Sequence, residues 1–223
     1  MTNQNLIIFD VDGTLIESMG IDTKVYAETF LQSYNTTINT DWNRYRYSTD
    51  SGIFLELFNI HFQKSPSIKD EHIFKTLYFT NLNTKLKNNI EACQPVTGIA
   101  DLLCYLSSLE NFDLAIATGC WQTAAKIKLK FAKLATTNFV MASSDDNIYR
   151  HKIIELAHAR ARKQNKITRY NKITYVGDKI WDYEASCRLG INFIGLGNAF
   201  NSRLAPHPVI YYYDKIEFIE AMK

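Results

Sequence analysis

The feature that most constrains this chain is the run Leu6-Ile7-Ile8-Phe9, four apolar residues that end on Asp10-Val11-Asp12-Gly13. A strand that is apolar on both faces belongs inside a parallel sheet covered by helices on each side. In open α/β sheets the ligand crevice lies beyond the carboxyl ends of the strands. Asp10 and Asp12 are therefore expected to project into it, with Gly13 permitting a tight turn beside them. Two carboxylates this close repel each other unless a cation sits between them. A hard divalent cation such as Mg²⁺ prefers carboxylate oxygens and suits a site that also holds phosphate. The same residues, read alone, are also an ordinary strand-to-turn junction.

The rest of the chain supports a sheet of this kind. Pro95 and Gly98 precede a leucine-rich helical pattern at Leu102, Leu103, Leu106 and Leu109. Short apolar runs at 112–117, 138–142, 172–176, 191–196 and 209–212 then alternate with helical patterns at 122–134, 153–161, 184–189 and from Lys215. Such alternation calls for parallel strands joined by helical crossovers. Residues 18–93 differ: they carry helical spacing and many aromatics. Tyr26, Phe30 and Tyr34 recur every fourth residue, as do Phe54, Phe58 and Phe62, and Phe74 and Tyr78. That spacing puts each set on one helix face, as the core of a small helical bundle. Turns are expected at 47–52 and 64–67. The expected fold is a doubly wound parallel α/β core made of residues 1–17 and 94–223, with an inserted α-helical cap over 18–93.

The strand ends at Asp10, Thr118 and Asp178 bring acids and a hydroxyl to one edge of this sheet, although they lie far apart in sequence. Thr118-Gly119 offers a hydroxyl and backbone N–H groups near a helix start, where phosphate oxygens bind readily. Asp178 and Asp182 are one helical turn apart and can face the same cation.

The string Phe9-Asp10-Val11-Asp12-Gly13-Thr14-Leu15 resembles the first motif of the haloacid dehalogenase superfamily, in its phosphoglycolate phosphatase-like branch with a helical cap. Thr118 resembles the second motif, and Gly177-Asp178-Lys179-Ile180-Trp181-Asp182 the fourth, Gly-Asp-x-x-x-Asp. The third motif should supply a cation. Arg150 and Lys152 are the candidates, and Arg150 is favoured because it precedes the apolar helical pattern starting at Ile153. The segment lacks the Lys-Pro-x-Pro run of many relatives, and an Arg fork is not equivalent to a mobile Lys.

The resemblance implies a Mg²⁺-dependent phosphatase acting on a small phosphate monoester. Asp10 would be the nucleophile and Asp12 the acid and then the base, with an aspartyl-phosphate between the two steps. Thr118 and Gly119 would hold the phosphoryl group, and Asp10, Asp178, Asp182 and the main-chain carbonyl of Asp12 would surround the metal. Asp12 is expected to hold a proton near neutral pH, raised by neighbouring carboxylates and partial burial. Asp12 also separates the chain from the dehalogenases, which lack an acid at that place. A phosphomutase of the β-phosphoglucomutase type would keep all these residues. A non-enzymatic phospho-acceptor module also gathers acids on a doubly wound sheet, but gains nothing from an inserted cap or from Asp12. Substrate selection is expected from Asp50 and Ser51 in the cap turn, covering the crevice as the cap closes.

Composition narrows the partners. A net charge of +2 gives no strong pull toward nucleic acid or acidic membranes. Lys126, Lys128, Lys130 and Lys133 read as a solvated helix surface, as do Arg160, Arg162, Lys163 and Lys166. His151 and His158 have no third ligand nearby for zinc, and the four cysteines show no metal or disulfide spacing. Cys120 is expected to be buried and inert near the phosphate pocket. With no bilayer-length apolar run and no signal-peptide pattern, a cytoplasmic monomer or homodimer is expected.

Overall fold

The structure is a computed structural model and describes residues 4–200 and 207–222; the remaining ends of the two expected core segments and residues 201–206 lie outside it. In chain order the elements begin with strand β1 (Asn5–Phe9) and the two-residue strand β2 (Ile16–Glu17). Three helices follow, α1 (Met19–Tyr34), α2 (Asp50–Phe62) and α3 (Ile68–Asn88), and then β3 (Gln94–Pro95). The alternating part runs α4 (Ile99–Ser107), β4 (Phe112–Ala117), α5 (Gln122–Phe131), β5 (Val140–Ala142) and α6 (Arg150–Asn165). It closes with β6 (Lys172–Gly177), α7 (Ile180–Leu189), β7 (Asn192–Leu196), β8 (Val209–Ile210) and α8 (Lys215–Ala221).

Six strands form one sheet in the order β5-β4-β1-β6-β7-β8, and every pair is parallel. The first strand of the chain is thus an inner strand of the sheet, which explains why it is apolar on both faces. Leu6 and Ile8 pack toward α6 and α7, while Ile7 and Phe9 join the core under α4, α5 and α8. Among the described residues, no helix is long and apolar enough to cross a membrane.

The cap helices leave and re-enter the core through a small antiparallel pair, with Ile16 opposite Pro95 and Glu17 opposite Gln94. The aromatic stripes of the three helices meet as the spacing predicts. Phe54 and Phe74 lie 4.8 Å apart between ring centroids, and Phe30 and Tyr34 4.9 Å. The cluster does not stop at the cap. Trp121, from the loop before α5, lies nearly parallel to Tyr26 at 5.8 Å and meets Phe74, Tyr78 and Phe79 edge-on. One apolar core therefore runs from the sheet into the cap.

Three local expectations shift. Asp50, Ser51 and Gly52 form the first turn of α2, not a loop, because Thr49 caps that helix by accepting from the Gly52 N–H at 3.3 Å. Helices α6 and α7 start earlier than their apolar patterns, at Arg150 and Ile180, because their first turns carry polar site residues. The last strand stops at Ile210, two residues sooner than its apolar run.

Candidate active site

Register aligns the site. Phe9 lies opposite Ile116 on one neighbour and Val176 on the other, so the residues just beyond all three strands share one edge. The Asp10 N–H donates to Val176 O at 3.0 Å and the Thr118 N–H to Ala142 O at 3.1 Å, so both residues are held by the last rungs of the sheet. Gly13 has φ of +80°, and a Cβ there would collide with the Asp178 carboxylate, so this turn requires glycine for both conformation and space.

Asp10, Asp178 and Asp182 are all buried, and each offers a carboxylate oxygen within 4.8 Å of the others. Arg150 reaches into this group. Its Nη1 lies 3.2 Å from Asp10 Oδ1 and 3.0 Å from Asp182 Oδ1, and its Nη2 donates to Ser48 O at 3.0 Å. The Tyr175 hydroxyl sits beneath, 3.3 Å from Arg150 Nη1, 3.2 Å from Asp182 Oδ1 and 3.1 Å from Ala117 O. Lys179 pairs with Asp178 at the open side. Burial pushes all three carboxyls up, Asp178 to about 6, with Arg150 opposing the shift at Asp10 and Asp182 and Lys179 opposing it at Asp178. Three carboxylates cannot all ionise comfortably around one guanidinium. Oδ1 of Asp10, outside hydrogen-bond geometry to Arg150, and Oδ1 of Asp178 are also buried without a hydrogen-bond partner. Buried carboxylate oxygens that accept no hydrogen bond fit a divalent cation.

Among the expected third-motif cations, Arg150 enters this group and Lys152 does not. Lys152 is on the outer face of α6, half-exposed and paired with Glu155 Oε2 at 2.8 Å, which corrects its assignment to the site. Thr118 is buried beside the group, its hydroxyl accepting from the Cys120 N–H at 3.2 Å. Gly119 has no room for a side chain because Arg150 and the Ser48 carbonyl press against it.

Asp12 turns the other way. Its carboxylate accepts from Lys128 Nζ at 2.6 and 2.7 Å, from Cys120 Sγ at 3.0 Å and from the Ser18 hydroxyl. The same ammonium reaches Asp22 Oδ1 at 2.9 Å, and the Tyr78 hydroxyl donates to that oxygen at 2.5 Å. Burial alone would raise Asp12, but the Lys128 ammonium holds it below the ordinary carboxylate value. This corrects two expectations. Asp12 rests as a carboxylate, not as an acid, and its side chain stands outside the three-carboxylate group. Lys128 is wholly buried, not solvated. The signal was its spacing, since Lys128 follows Ala124 by four and Ala125 by three on the buried face of α5.

The cap turn is seated on the core. The Asp50 N–H donates to Gly119 O at 2.8 Å, and Asp50 Oδ2 accepts from the Trp121 N–H at 2.9 Å. Thr49 Oγ1 donates to Ile148 O at 2.8 Å, and the Ser51 N–H donates to Ser144 Oγ at 2.7 Å. Ser51 Oγ accepts from Trp121 Nε1 at 2.7 Å, so this residue serves the seat and does not line the cavity, unlike its expected role. Asp50 does line it. The cavity, about 70 Å³, is bounded by Asp10, Asp12, Thr118, Gly119, Asp50 and Trp181 among others, room for a few waters or a phosphate-sized group. It shares Trp42, Ser48, Arg150 and Trp181 with a crevice of about 490 Å³ between cap and core.

The loop that receives the cap is braced by Asp146. Its carboxylate takes a forked contact from Arg160, at 2.8 and 2.7 Å, and the Ser143 N–H at 3.0 Å. Burial pushes Asp146 up, but these donors win and hold it below its ordinary value of 3.8. A carboxyl depressed on folding stabilises above its unfolded value and loses that contribution as pH falls through the folded one. Asp146→Asn is therefore expected to lower the urea midpoint at pH 7, with the difference from the parent closing below about pH 4. A gap that persists undiminished at pH 3 would contradict the charge-based brace.

Against known proteins, the family model described as "haloacid dehalogenase-like hydrolase" matches residues 7–196. None of the curated proteins matches the chain. Solved structures share the fold at low identity. A hydrolase from Pseudomonas syringae is 21% identical with a TM-score of 0.72, covering 97% of both chains. CbbY from Rhodobacter sphaeroides, solved in complex with phosphate, is 18% identical with a TM-score of 0.70, covering 94% of both chains. A haloacid dehalogenase-like family protein from Streptococcus pneumoniae is 16% identical with a TM-score of 0.63 over the whole of both chains.

Proposed function

Because the chain belongs to the family of haloacid dehalogenase-like hydrolases, we propose that it is a Mg²⁺-dependent phosphatase of small phosphate monoesters, working through an aspartyl-phosphate on Asp10. The observation that carries this reading is the buried set Asp10, Asp178 and Asp182 around Arg150, with Thr118 and Gly119 at the end of the adjacent strand. Acids gathered without an equal number of cations fit a metal, and the pocket they line opens onto the Thr118 hydroxyl and the Gly119 backbone, which suit phosphate. CbbY, of the same fold, is described in complex with phosphate.

In this reading Asp10, Asp178, Asp182 and the main-chain carbonyl of Asp12 hold Mg²⁺. Once bound, the ion offsets the repulsion between carboxylate and phosphoryl oxygens. Asp10 attacks phosphorus in line with the ester oxygen; an O–P bond forms to Asp10 as the bond to the leaving alcohol breaks. Arg150 balances charge beside Asp10, and Thr118 with Gly119 holds the phosphoryl oxygens. Water then attacks the same phosphorus, Asp12 accepts its proton, and the Asp10–phosphoryl bond breaks to release phosphate. Asp12 passes that proton to solvent and returns to its ionised form; with an alkyl ester it takes up a proton as the phosphate dianion enters beside it and gives that proton to the leaving alcohol. Its ionised resting form favours the base step. Residues 18–93 serve as the cap, and the crevice lined by Trp42, Tyr45, Tyr47, Tyr149 and Trp181 receives the leaving group. Asp50, at the junction of cavity and cap, contributes to selection.

The test is phosphate release from an aryl phosphate before and after chelation. Turnover should vanish with chelator and return on adding Mg²⁺. A rate unchanged by complete chelation would sink the metal-dependent reading.

A further inference from the structure

We propose that Lys128 is the positioning residue for Asp12: it fixes the carboxylate at the edge of the catalytic cavity and ties it to the root of the cap through Asp22. This rests on the phosphatase reading above, in which Asp12 is the base of the second step.

The geometry is specific. An ammonium has three N–H donors. Those of Lys128 face three carboxylate oxygens, both of Asp12 at 2.6 and 2.7 Å and Oδ1 of Asp22 at 2.9 Å. Asp12 and Asp22 line the cavity and Lys128 does not, so the ammonium stands behind the base and away from the substrate. Four elements meet on it. Lys128 comes from α5 of the core and Asp12 from the turn after β1. Asp22 comes from the first turn of α1, and Tyr78 of α3 fixes Asp22 from the far side. Cys120 and Ser18 complete the clamp on Asp12, while the Cys93 thiol contacts the Lys128 carbonyl at 3.4 Å.

A charged residue on the buried face of a helix is costly to keep, and an apolar side chain would serve packing as well. What the ammonium supplies is a fixed orientation. It binds both oxygens of Asp12, so the carboxylate cannot rotate freely, and its third N–H meets Asp22 on α1 of the cap. Seating of the cap and aim of the base are thus one arrangement. Lys128 forms and breaks no bond in the reaction. In the second step water adds to phosphorus, the Asp10–phosphoryl bond breaks and the water proton passes to Asp12; Lys128 holds the acceptor still.

An aryl phosphate separates the two steps, because a phenolate of low basicity leaves without a proton and so its release does not need Asp12. Purified protein with Mg²⁺ is mixed rapidly with such an ester, and phenolate and phosphate are followed separately. Lys128→Met is expected to release one phenolate per active site in a burst, followed by a steady rate lowered by about 10- to 100-fold. KM should fall with kcat and no matching burst of phosphate should appear. Lys130→Met, on the exposed face of the same helix, should behave as the parent. A purely structural role would slow both steps together and give no burst. If Lys128→Met fails to fold, Asp22→Asn replaces it, with a burst and a smaller slowing expected. Phenolate and phosphate released in step at the parental ratio, in whichever of the two variants is folded, would overturn the proposal while leaving the phosphatase reading intact. Absence of Mg²⁺-dependent turnover in the parent would instead overturn the reading it rests on, and the proposal with it.

Discussion

Asp10→Asn should abolish turnover, by about 10⁴-fold or more, without weakening the fold. The two effects separate because the nucleophile sits in an electrostatically crowded place. An amide oxygen cannot replace a carboxylate as the atom that attacks phosphorus, and the oxyanion and binding groups that remain give only residual catalysis. In the metal-free protein, however, Asp10 is one of three buried carboxyls beside a single guanidinium. Burial raises its pKa on folding, so its ionised form costs stability at every pH above the ordinary carboxylate value. Removing that charge should leave the metal-free urea midpoint at pH 7 unchanged or raised. A variant that loses activity only because it unfolds would contradict this account of the site.

Lys128→Met carries the opposite expectation for stability. Breaking one partner of a buried ion group leaves uncompensated charge, and the cost is about 3–5 kcal/mol. Here two carboxylates, Asp12 and Asp22, lose their ammonium together, and the side chain removed is wholly buried. The double variant Lys128→Met/Asp22→Asn should recover part of the loss, since one stranded charge is then gone, and the interaction term between the two sites should be large. Urea denaturation of the four proteins in the cycle measures it. Strict additivity would mean that Lys128 and Asp22 do not act as a pair.

These two residues also mark the boundary of what the chain discloses as a string. Asp10, Thr118 and Asp178 could be placed together without coordinates, because parallel strands must end at one edge and each residue follows an apolar run. Arg150 was legible from position, one turn before its helix becomes apolar. The aromatic stripes of the cap could be read from spacing of four. Lys128 could not be separated from its neighbours Lys126, Lys130 and Lys133 by charge alone. Its burial depends on which face of α5 meets the turn after β1 and α1, a tertiary fact. The roles of Trp121 and Tyr175 are hidden in the sequence for the same reason. The indole enters an aromatic cluster built by the cap, and the phenol bridges Arg150, Asp182 and Ala117 from a strand that reads as ordinary core. The charge state of Asp12 differs from the expected one because the buried Lys128 ammonium, from a helix distant in sequence, opposes burial and the neighbouring acids.

In the proposed function one segment would join specificity to catalysis. Ser48 accepts from Arg150, Thr49 donates to Ile148, and Asp50 holds the Trp121 N–H, so the turn entering α2 rests on two core segments, the start of α6 with the loop before it and the loop before α5. A cap movement that lifts this turn and the first turn of α1 from the core would break these bonds together with the Asp22 contact to Lys128. On that reading, substrate entry and orientation of the base would be linked through shared residues.

In the proposed reaction phosphorus passes through Asp10. The decisive measurement is to quench the enzyme in acid during steady turnover with Mg²⁺ and map the phosphoryl group by mass spectrometry of its peptides. A phosphoryl group on Asp10, absent from Asp10→Asn, is expected. Steady phosphate release with Asp10 unmodified, or a phosphoryl group carried on another residue, would contradict it.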